Sequence, residues 1–501
     1  MEMKNRKKKN WSCRSLLVLI LVFCMTGLQA QEVLTLDRAL QYAETGSPDL
    51  KRTLLNRERY QKSLEAQRAS LKSQFSLDVS PVEYSNTRRF DQRTSQWYTN
   101  ESFSSMGTFR VQQPILVTDG TLSLIDQFGW QNSTSIITGG GETGSKVFTN
   151  NLYLNLNQPL FTYNRTKLEL KELELNLENA NISYAIQRLN LEKNVTQFFY
   201  NVYLAQENLK IARQELENTQ KSYEIINNKV DAGLAAKEEL YQAELNLANS
   251  RSSLQNSEVT LANAKDQMKI YLGMDLDEDL VVLTDISSDS VPVDLSKAIE
   301  QGLNSRMEIR QREIDIETSL FSLIQTKSQN EFRGELNLAF GFMGDNEKVN
   351  KIFDNTTKNP QVSLSFNIPL FDWGERKARI AAQEASVQTQ ELNLEEEKRQ
   401  IIIDIRQTYR NLLNQLNQIK IARQNEINAR LTYEINLERY ENGDLTGMDL
   451  NLYQAQLTES TISLAQAMIN YKLELLNLKI QSLYDFERKE AVIPSELYLE
   501  N

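Results

Sequence analysis

One long unit is written twice in this chain. Lys-Ile-Ala-Arg-Gln stands at Lys210 to Gln214 and again at Lys420 to Gln424. At the same offset Gln158-Pro159-Leu160-Phe161 returns as Ile368-Pro369-Leu370-Phe371, and Gly233 returns as Gly443. Past the glycines two residues slip in, so Tyr241-Gln242-Ala243-Glu244-Leu245 reappears as Tyr453-Gln454-Ala455-Gln456-Leu457. The start of the unit also repeats, Leu36-Asp37-Arg38-Ala39-Leu40 being echoed by Leu295-Ser296-Lys297-Ala298-Ile299. A duplication of this length demands an architecture of two pseudo-symmetric halves.

Within each half, proline marks the boundaries. None occurs from Leu160 to Val291 or from Leu370 to Ile493. An internal proline costs a helix ~3 kcal/mol, so these gaps permit very long helices. Leu191, Val195, Phe198, Val202, Ala205, Leu209, Ala212 and Leu216 alternate spacings of four and three. Leu240, Ala243, Leu247, Ser250 and Leu254 do the same after the first glycine, and Leu450, Tyr453, Leu457 and Leu464 after the second. These are coiled-coil seams, and their many Ala, Ser and Tyr positions suit packing on two sides. The run from Asn164 to Val230 makes roughly 100 Å of helix, and Lys237 to Leu272 roughly half that. A further run, about Leu303 to Phe332, supplies another stretch.

Strands lie between the helices. Val362, Leu364, Phe366 and Ile368 alternate with polar residues, as do Leu336, Leu338, Phe340 and Phe342, and Leu152, Leu154 and Leu156. A fourth candidate, Phe75 to Tyr84, is interrupted by Pro81. Apolar and polar faces on strands of ~9–11 residues match membrane-spanning barrel strands. Two hairpins give four such strands, too few to close a barrel, and an open edge cannot face lipid, so several chains must pool them. Ser85 to Asn150 is long and rich in Ser, Thr, Gly and Asn, with a turn signal at Thr118-Asp119-Gly120. It reads as an extra, exposed hairpin; the alternative is that residues 104–131 add two wall strands.

Composition removes most chemistry. The 501 residues include no histidine, and the only cysteines, Cys13 and Cys24, fall in the first thirty residues. Those thirty resemble an export signal: Lys7 to Lys9, an apolar stretch from Leu16 to Phe23, and Leu28-Gln29-Ala30 as a cleavage site. Lipidation at Cys24 would need a smaller residue than Phe23. The formal net charge of −11 becomes more negative once this basic segment is removed, a poor surface for nucleic acid. Neither a phosphate loop nor a nucleophile elbow is visible. The expectation is therefore a non-enzyme without cofactor or metal.

Signal, strand hairpin, Pro-Leu-Phe, long proline-free helix, glycine turn and return helix, all duplicated, together resemble the TolC family of outer-membrane efflux proteins. The resemblance covers essentially the whole chain after the signal (residues 1–30). The first repeat is placed at 31–291, with strand hairpin about 75–160 and helical hairpin about 162–272. The second is placed at 292–486, with strand hairpin about 335–370 and helical hairpin about 372–484; 487–501 form a C-terminal tail. The fold class implied is mainly α with membrane β: a homotrimer whose copies each give four strands to a twelve-stranded β-barrel continuous with an α-helical periplasmic tunnel. The function implied is a passive exit duct in the outer membrane, partnered by a periplasmic adaptor and an inner-membrane pump of an efflux or type I secretion system. A periplasmic adaptor or a coiled-coil scaffold are the alternatives. An adaptor needs modules rich in short strands, and a scaffold leaves the alternating strands without a purpose.

The resemblance also places residues. Adaptor-docking tips fall at Gly233 and Leu234, and at Gly443 and Asp444, the latter standing where a small or hydroxyl residue is usual. Each glycine also suits the positive φ of a helix–helix turn. A periplasmic gate is implied at Glu239, Tyr440 and Asp449, although Leu445 and Leu452 replace a basic and an acidic gate residue. Phe161, Tyr163, Phe371 and Trp373 take the place of membrane-interface aromatics.

Overall fold

Long proline-free runs become long helices, and alternating runs become one sheet. The computed structural model describes residues 32–92, 95–137, 140–283, 290–442 and 444–492. The expected signal, Gly443 and residues 493–501 of the tail lie outside the described residues. In chain order the helices are α1 (Leu36–Gly46), α2 (Pro48–Ser70), α3 (Arg165–Asp231), α4 (Lys237–Leu272), α5 (Leu295–Ser305), α6 (Met307–Ser328), α7 (Glu375–Glu441) and α8 (Gly447–Ser482). The strands are β1 (Glu32–Leu34), β2 (Gln74–Asp91), β3 (Gln96–Ile115), β4 (Gly120–Ile137), β5 (Glu142–Leu160), β6 (Leu280–Val282), β7 (Arg333–Asn346), β8 (Thr357–Lys358), β9 (Gln361–Asn367), β10 (Tyr484–Asp485) and β11 (Glu490–Ala491). The run expected from Leu303 to Phe332 is broken at Arg306, the C-cap of α5, because α6 starts afresh at Met307. The chain divides into two compact units.

One unit comprises residues 54–183 and 307–399 and holds the large sheet. Its order is β2-β3-β4-β5-β7, with β8 and β9 both paired to the far side of β7, and every pairing is antiparallel. The sheet thus has six main strands, β2, β3, β4, β5, β7 and β9, where four were expected. Residues 104–131 are not an exposed hairpin: β3 pairs with β2 along nearly its whole length, and β4 with β5. Pro81 does not end β2 either. The strand absorbs it in a bulge, where the register shifts between Ser80 and Glu83, as edge strands allow. Beneath the sheet, Leu64, Leu175, Ile182, Ile314 and Val387 are buried on the helices. The Arg310 guanidinium reaches Glu178, Glu313 and Glu317, and Arg312 reaches Glu397. Such half-exposed pairs contribute at most about 1 kcal/mol each, so they fix helix register more than stability.

The other unit comprises residues up to 53, then 184–306, and 400 onward. Parallel β1 and β6 pair at its centre. Around them a core forms from Leu34, Ala39, Ala43, Leu191, Val195, Phe199, Val202, Met268, Leu272, Leu280, Val282 and Ile469. The α3 seam passes through Phe199 rather than Phe198, whose ring instead meets Tyr271 at a centroid distance of 5.0 Å. The expected Leu191, Val195, Val202, Ala205, Leu209 and Ala212 are buried on either side, so the exchange is local: positions three and four after Val195 both lie near the same helix face. Backbones touch where Gly46 faces Gly273: a Cβ on Gly46 would sit 2.1 Å from the carbonyl oxygen of Leu272. Gly273 takes φ +72° and closes α4.

Candidate functional site: the sheet faces and the helical tips

Pairing register assigns each strand residue to a face. Phe75, Leu77 and Val79 of β2 stand opposite Val111, Phe109 and Gly107 of β3. Val111 stands opposite Leu124 on β4, which meets Leu154 on β5, which meets Phe340 on β7. Leu122, Leu156, Leu338 and Val362 form the adjoining row, and Leu336 pairs with Leu364. One face is therefore an apolar band crossing all six main strands, the two unexpected ones included. The opposite face carries Asp78, Arg110, Gln112, Ser123, Gln127, Asn151, Asn155, Asn157, Asn337, Ser363 and Ser365. Asn157 donates there to Glu335 at 2.6 Å and to Asn337 at 3.0 Å. Apolar on one side and mainly hydrogen-bonding on the other is the pattern that strands separating lipid from a wet lumen carry. The division is not absolute: on the apolar face Gln113 stands opposite Leu122 and the Asn150 Nδ2 donates to Asp126 at 2.7 Å, and on the other face Ile125 and Tyr153 stand in the row of Arg110.

Aromatic rings border the band. At the helix-side end, Phe161 contacts Phe332 at 5.3 Å, and Phe332 stacks on Phe366 at 5.6 Å. Phe371 and Trp373 meet edge to face at 4.7 Å and are 74% and 91% exposed, while Tyr163 is half-buried. Sequence reasoning missed Phe332 and Phe366; an aromatic immediately before β7 was the available signal. At the other end Tyr84 packs on Phe103 at 4.8 Å, and Trp130 pairs with Phe148. From Phe148 to Leu156 is about 26 Å of strand, close to the ~25 Å apolar height of an outer-membrane barrel. The strands continue past it into polar stretches such as Asn86-Thr87-Arg88 and Thr134-Ser135.

The turn joining β3 to β4 docks on the start of α3. Asn164 donates its side-chain amide to the Leu116 carbonyl at 2.6 Å and accepts from the Lys167 backbone N–H at 2.7 Å. Asp119, at φ +59°, accepts from the backbone N–H of Thr166 at 3.0 Å and from its hydroxyl. Two side chains thus satisfy donors at an N-terminus that the helix itself leaves unpaired. Sequence reasoning identified the turn but not this cap.

The tips of the helical hairpins are built alike. After α3, Gly233 takes φ +73° and the Leu234 N–H returns to the Lys229 carbonyl at 2.7 Å. After α7, the Asp444 N–H returns to the Arg439 carbonyl at 2.9 Å. Both bonds are the six-to-one closure of a Schellman turn. Leu234 is 79% exposed. Glu239 and Asp449 occupy matching positions in the first turns of α4 and α8. Their surroundings differ. Ala236 caps α4 without a side-chain bond, whereas Thr446 accepts from the Asp449 N–H at 3.2 Å and donates to its carboxylate at 2.7 Å. Thr446 is thus a side-chain N-cap that also holds the Asp449 carboxylate, which occupies Asp449 locally. Leu234, Glu239, Tyr440, Thr446 and Met448 border one cavity of about 440 Å³; Asp449 faces a neighbouring one.

The arrangement has known counterparts. Residues 127–273 and 299–480 match the family described as outer membrane efflux protein. The probable outer membrane lipoprotein SilC of Salmonella typhimurium is 23% identical over 289 residues, covering 56% of this chain. That match spans 62% of SilC, less than two thirds of its length. The crystal structure of the Campylobacter jejuni CmeC outer membrane channel superposes with a TM-score of 0.68 at 16% identity, covering 91% of this chain and 87% of that one. The open-state MtrE outer membrane channel of Neisseria gonorrhoeae gives 0.64 at 14% identity, covering 91% and 90%. These likenesses establish the fold, mostly helical with sheet.

Proposed function

The chain belongs to the outer membrane efflux protein family, and we propose that it works as a passive exit duct, conducting substrates through the outer membrane from a periplasmic adaptor and an inner-membrane pump. The observation that carries this reading is the division of the sheet into one apolar and one mainly hydrogen-bonding face along all six main strands. A soluble scaffold has no use for an apolar sheet face bordered by aromatic rings at both ends. The working form is an oligomer, because the two free sheet edges cannot face lipid, and the family resemblance makes it a homotrimer.

Within that reading, the turns at Gly233–Leu234 and at Gly443–Asp444 are the adaptor-docking tips. The exposed Leu234 side chain gives the first an apolar contact point. Glu239 and Tyr440, beside one cavity, form the periplasmic gate together with Asp449. Phe161, Tyr163, Phe371 and Trp373 sit at the inner membrane–water boundary of the wall. The test is fractionation of cells producing the full chain. An oligomer that resists SDS, found in the outer membrane and conducting ions in planar bilayers, is the expected result. A monomer in the soluble periplasmic fraction overturns the duct. For the gate, Asp449→Ala should alter single-channel conductance or cation block; an unchanged channel removes Asp449 from it.

A further inference from the structure

We propose that copies of this chain close a wall of eighteen strands, six from each of three copies, by pairing the free edge of β9 in one copy with the free edge of β2 in the next. This rests on the duct reading above and departs from the twelve strands that the family resemblance implied.

Three observations converge on it. First, β3 and β4 are part of the wall, because the apolar band continues through them, broken by the Asp126–Asn150 pair: Phe109 and Val111 on β3, and Leu122, Leu124 and Phe128 on β4, share the face of Leu77 and Leu154. An exposed hairpin has no reason to continue a lipid-facing row in register with both neighbours. Second, the two outermost strands carry matching faces over the seven residues of β9. The apolar row reaches both edges, as Phe75, Leu77 and Val79 on β2 and as Val362, Leu364 and Phe366 on β9. β2 leads away from the helices and β9 leads back to them. Copies set side by side thus continue the antiparallel alternation that every pair within the sheet obeys. Backbone groups left open on both edges are intolerable in hydrocarbon, so the partner each edge needs is a second copy of this chain.

Third, the widths agree. In the sheet-bearing unit four helix ends meet the sheet: the end of α2 at Ser70, the start of α3 at Arg165, the end of α6 at Ser328 and the start of α7 at Glu375. Four helices side by side occupy about 32–40 Å of circumference. Six strands tilted by about 40° at ~4.8 Å spacing occupy about 38 Å, whereas four occupy about 25 Å. Eighteen strands close at a backbone diameter of about 36 Å, against about 24 Å for twelve. The Asp119 and Asn164 bonds pin the extra turn to the start of α3, so the additional strands stand over the helices rather than beside them.

Cysteine scanning of the full-length chain tests this, since Cys13 and Cys24 are its only thiols and both can be replaced by serine. Single cysteines go at Phe109, Arg110, Val111 and Gln112 on β3, and at Leu152, Tyr153, Leu154 and Asn155 on β5. Only variants that retain the oligomer are scored, by a membrane-impermeant maleimide and by quenching of an attached fluorophore with doxyl lipids. The expected result is the same alternation on both strands, at least fivefold between neighbours, with native mass spectrometry giving three copies. Alternation on β5 with maleimide access to every β3 position overturns the eighteen-stranded wall and leaves the duct intact. Three-copy particles whose barrel images at about 24 Å do the same, as does any other copy number. Loss of alternation on both strands overturns the duct reading itself.

Discussion

The carboxylate of Asp119, in the turn between β3 and β4, accepts hydrogen bonds from the backbone N–H and the hydroxyl of Thr166 in the first turn of α3. A strand turn therefore caps the start of a 67-residue helix. The contact is the mechanical join between the added hairpin and the helices. Replacing Asp119 by alanine removes one of the two capping side chains, Asn164 remaining, and should cost about 1 kcal/mol, within the usual range for a lost capping bond. Asn at this position keeps an acceptor and should recover most of it. Thermal melting of the purified oligomer, followed by helical circular dichroism, should rank wild type above D119N and D119N above D119A. Equal melting of all three would show that the turn carries no load.

The second half of the duplication caps its long helix from within. Asp372 accepts from the backbone N–H groups of Gly374 and Arg376, both at 3.0 Å, ahead of α7. The Arg376 bond first, and the Gly374 bond with it, hold this carboxyl below its ordinary range. A carboxyl depressed in the folded state lends stability that is complete above its unfolded value and is lost as pH falls through the folded one. Wild type should therefore exceed Asp372→Ala in stability at neutral pH, and the gap should close under acid conditions that protonate the group. A gap independent of pH would mean that the side chain acts through packing alone.

Much of this was legible in the chain itself, for identifiable reasons. Gly233 and the Pro-Leu-Phe segments report local geometry, a left-handed turn and a strand exit, which neighbouring residues determine. The alternation of Leu336 to Phe342 likewise declares its own face. β3 hides because its sequence from Asn100 to Gly107 places Ser105 and Gly107 where the apolar row should run, and only their partners Trp130, Phe128 and Val79 on the neighbouring strands carry the row there. The Asp119 cap hides because it joins residues far apart in the chain, which no local motif encodes. Phe199 displaces Phe198 from the core because positions three and four after Val195 both lie near one helix face, and sequence spacing alone does not choose between two adjacent phenylalanines.

Close backbone approach makes Gly46 intolerant of any side chain. An added Cβ would lie 2.1 Å from the Leu272 carbonyl oxygen, a rigid atom at the end of α4. Something must shift, and the neighbours are the buried Ala43 and Leu272 of the core. Overpacking of this kind typically costs about 1–3 kcal/mol. Gly46→Ala should lower the denaturant midpoint of the helical signal, whereas Gly141→Ala, whose Cβ would meet nothing within 4 Å, should leave it unchanged. Equal effects of the two would contradict the packing of α1 on α4.

The Asp126–Asn150 pair makes the sharpest demand on the wall. Both residues lie on the apolar face, where Asp126 stands opposite Phe109 and Leu152 in its row. The Asn150 side chain is nearly buried and donates to Asp126 at 2.7 Å. Removing the donor alone leaves a carboxylate in apolar surroundings without its partner, which costs about 1–3 kcal/mol for a hydrogen-bonding group left unsatisfied, and more when it is charged. Removing both with residues of similar shape avoids that penalty. Asn150→Leu should therefore lower the temperature at which the SDS-resistant oligomer dissociates, and the double variant with Asp126→Leu should restore it toward wild type. The double variant should also bind detergent and lipid as wild type does, because the face only becomes more uniformly apolar. A double variant less stable than Asn150→Leu alone would place this pair in water, and would move the boundary of the lipid-facing band below it, toward Leu124 and Leu154.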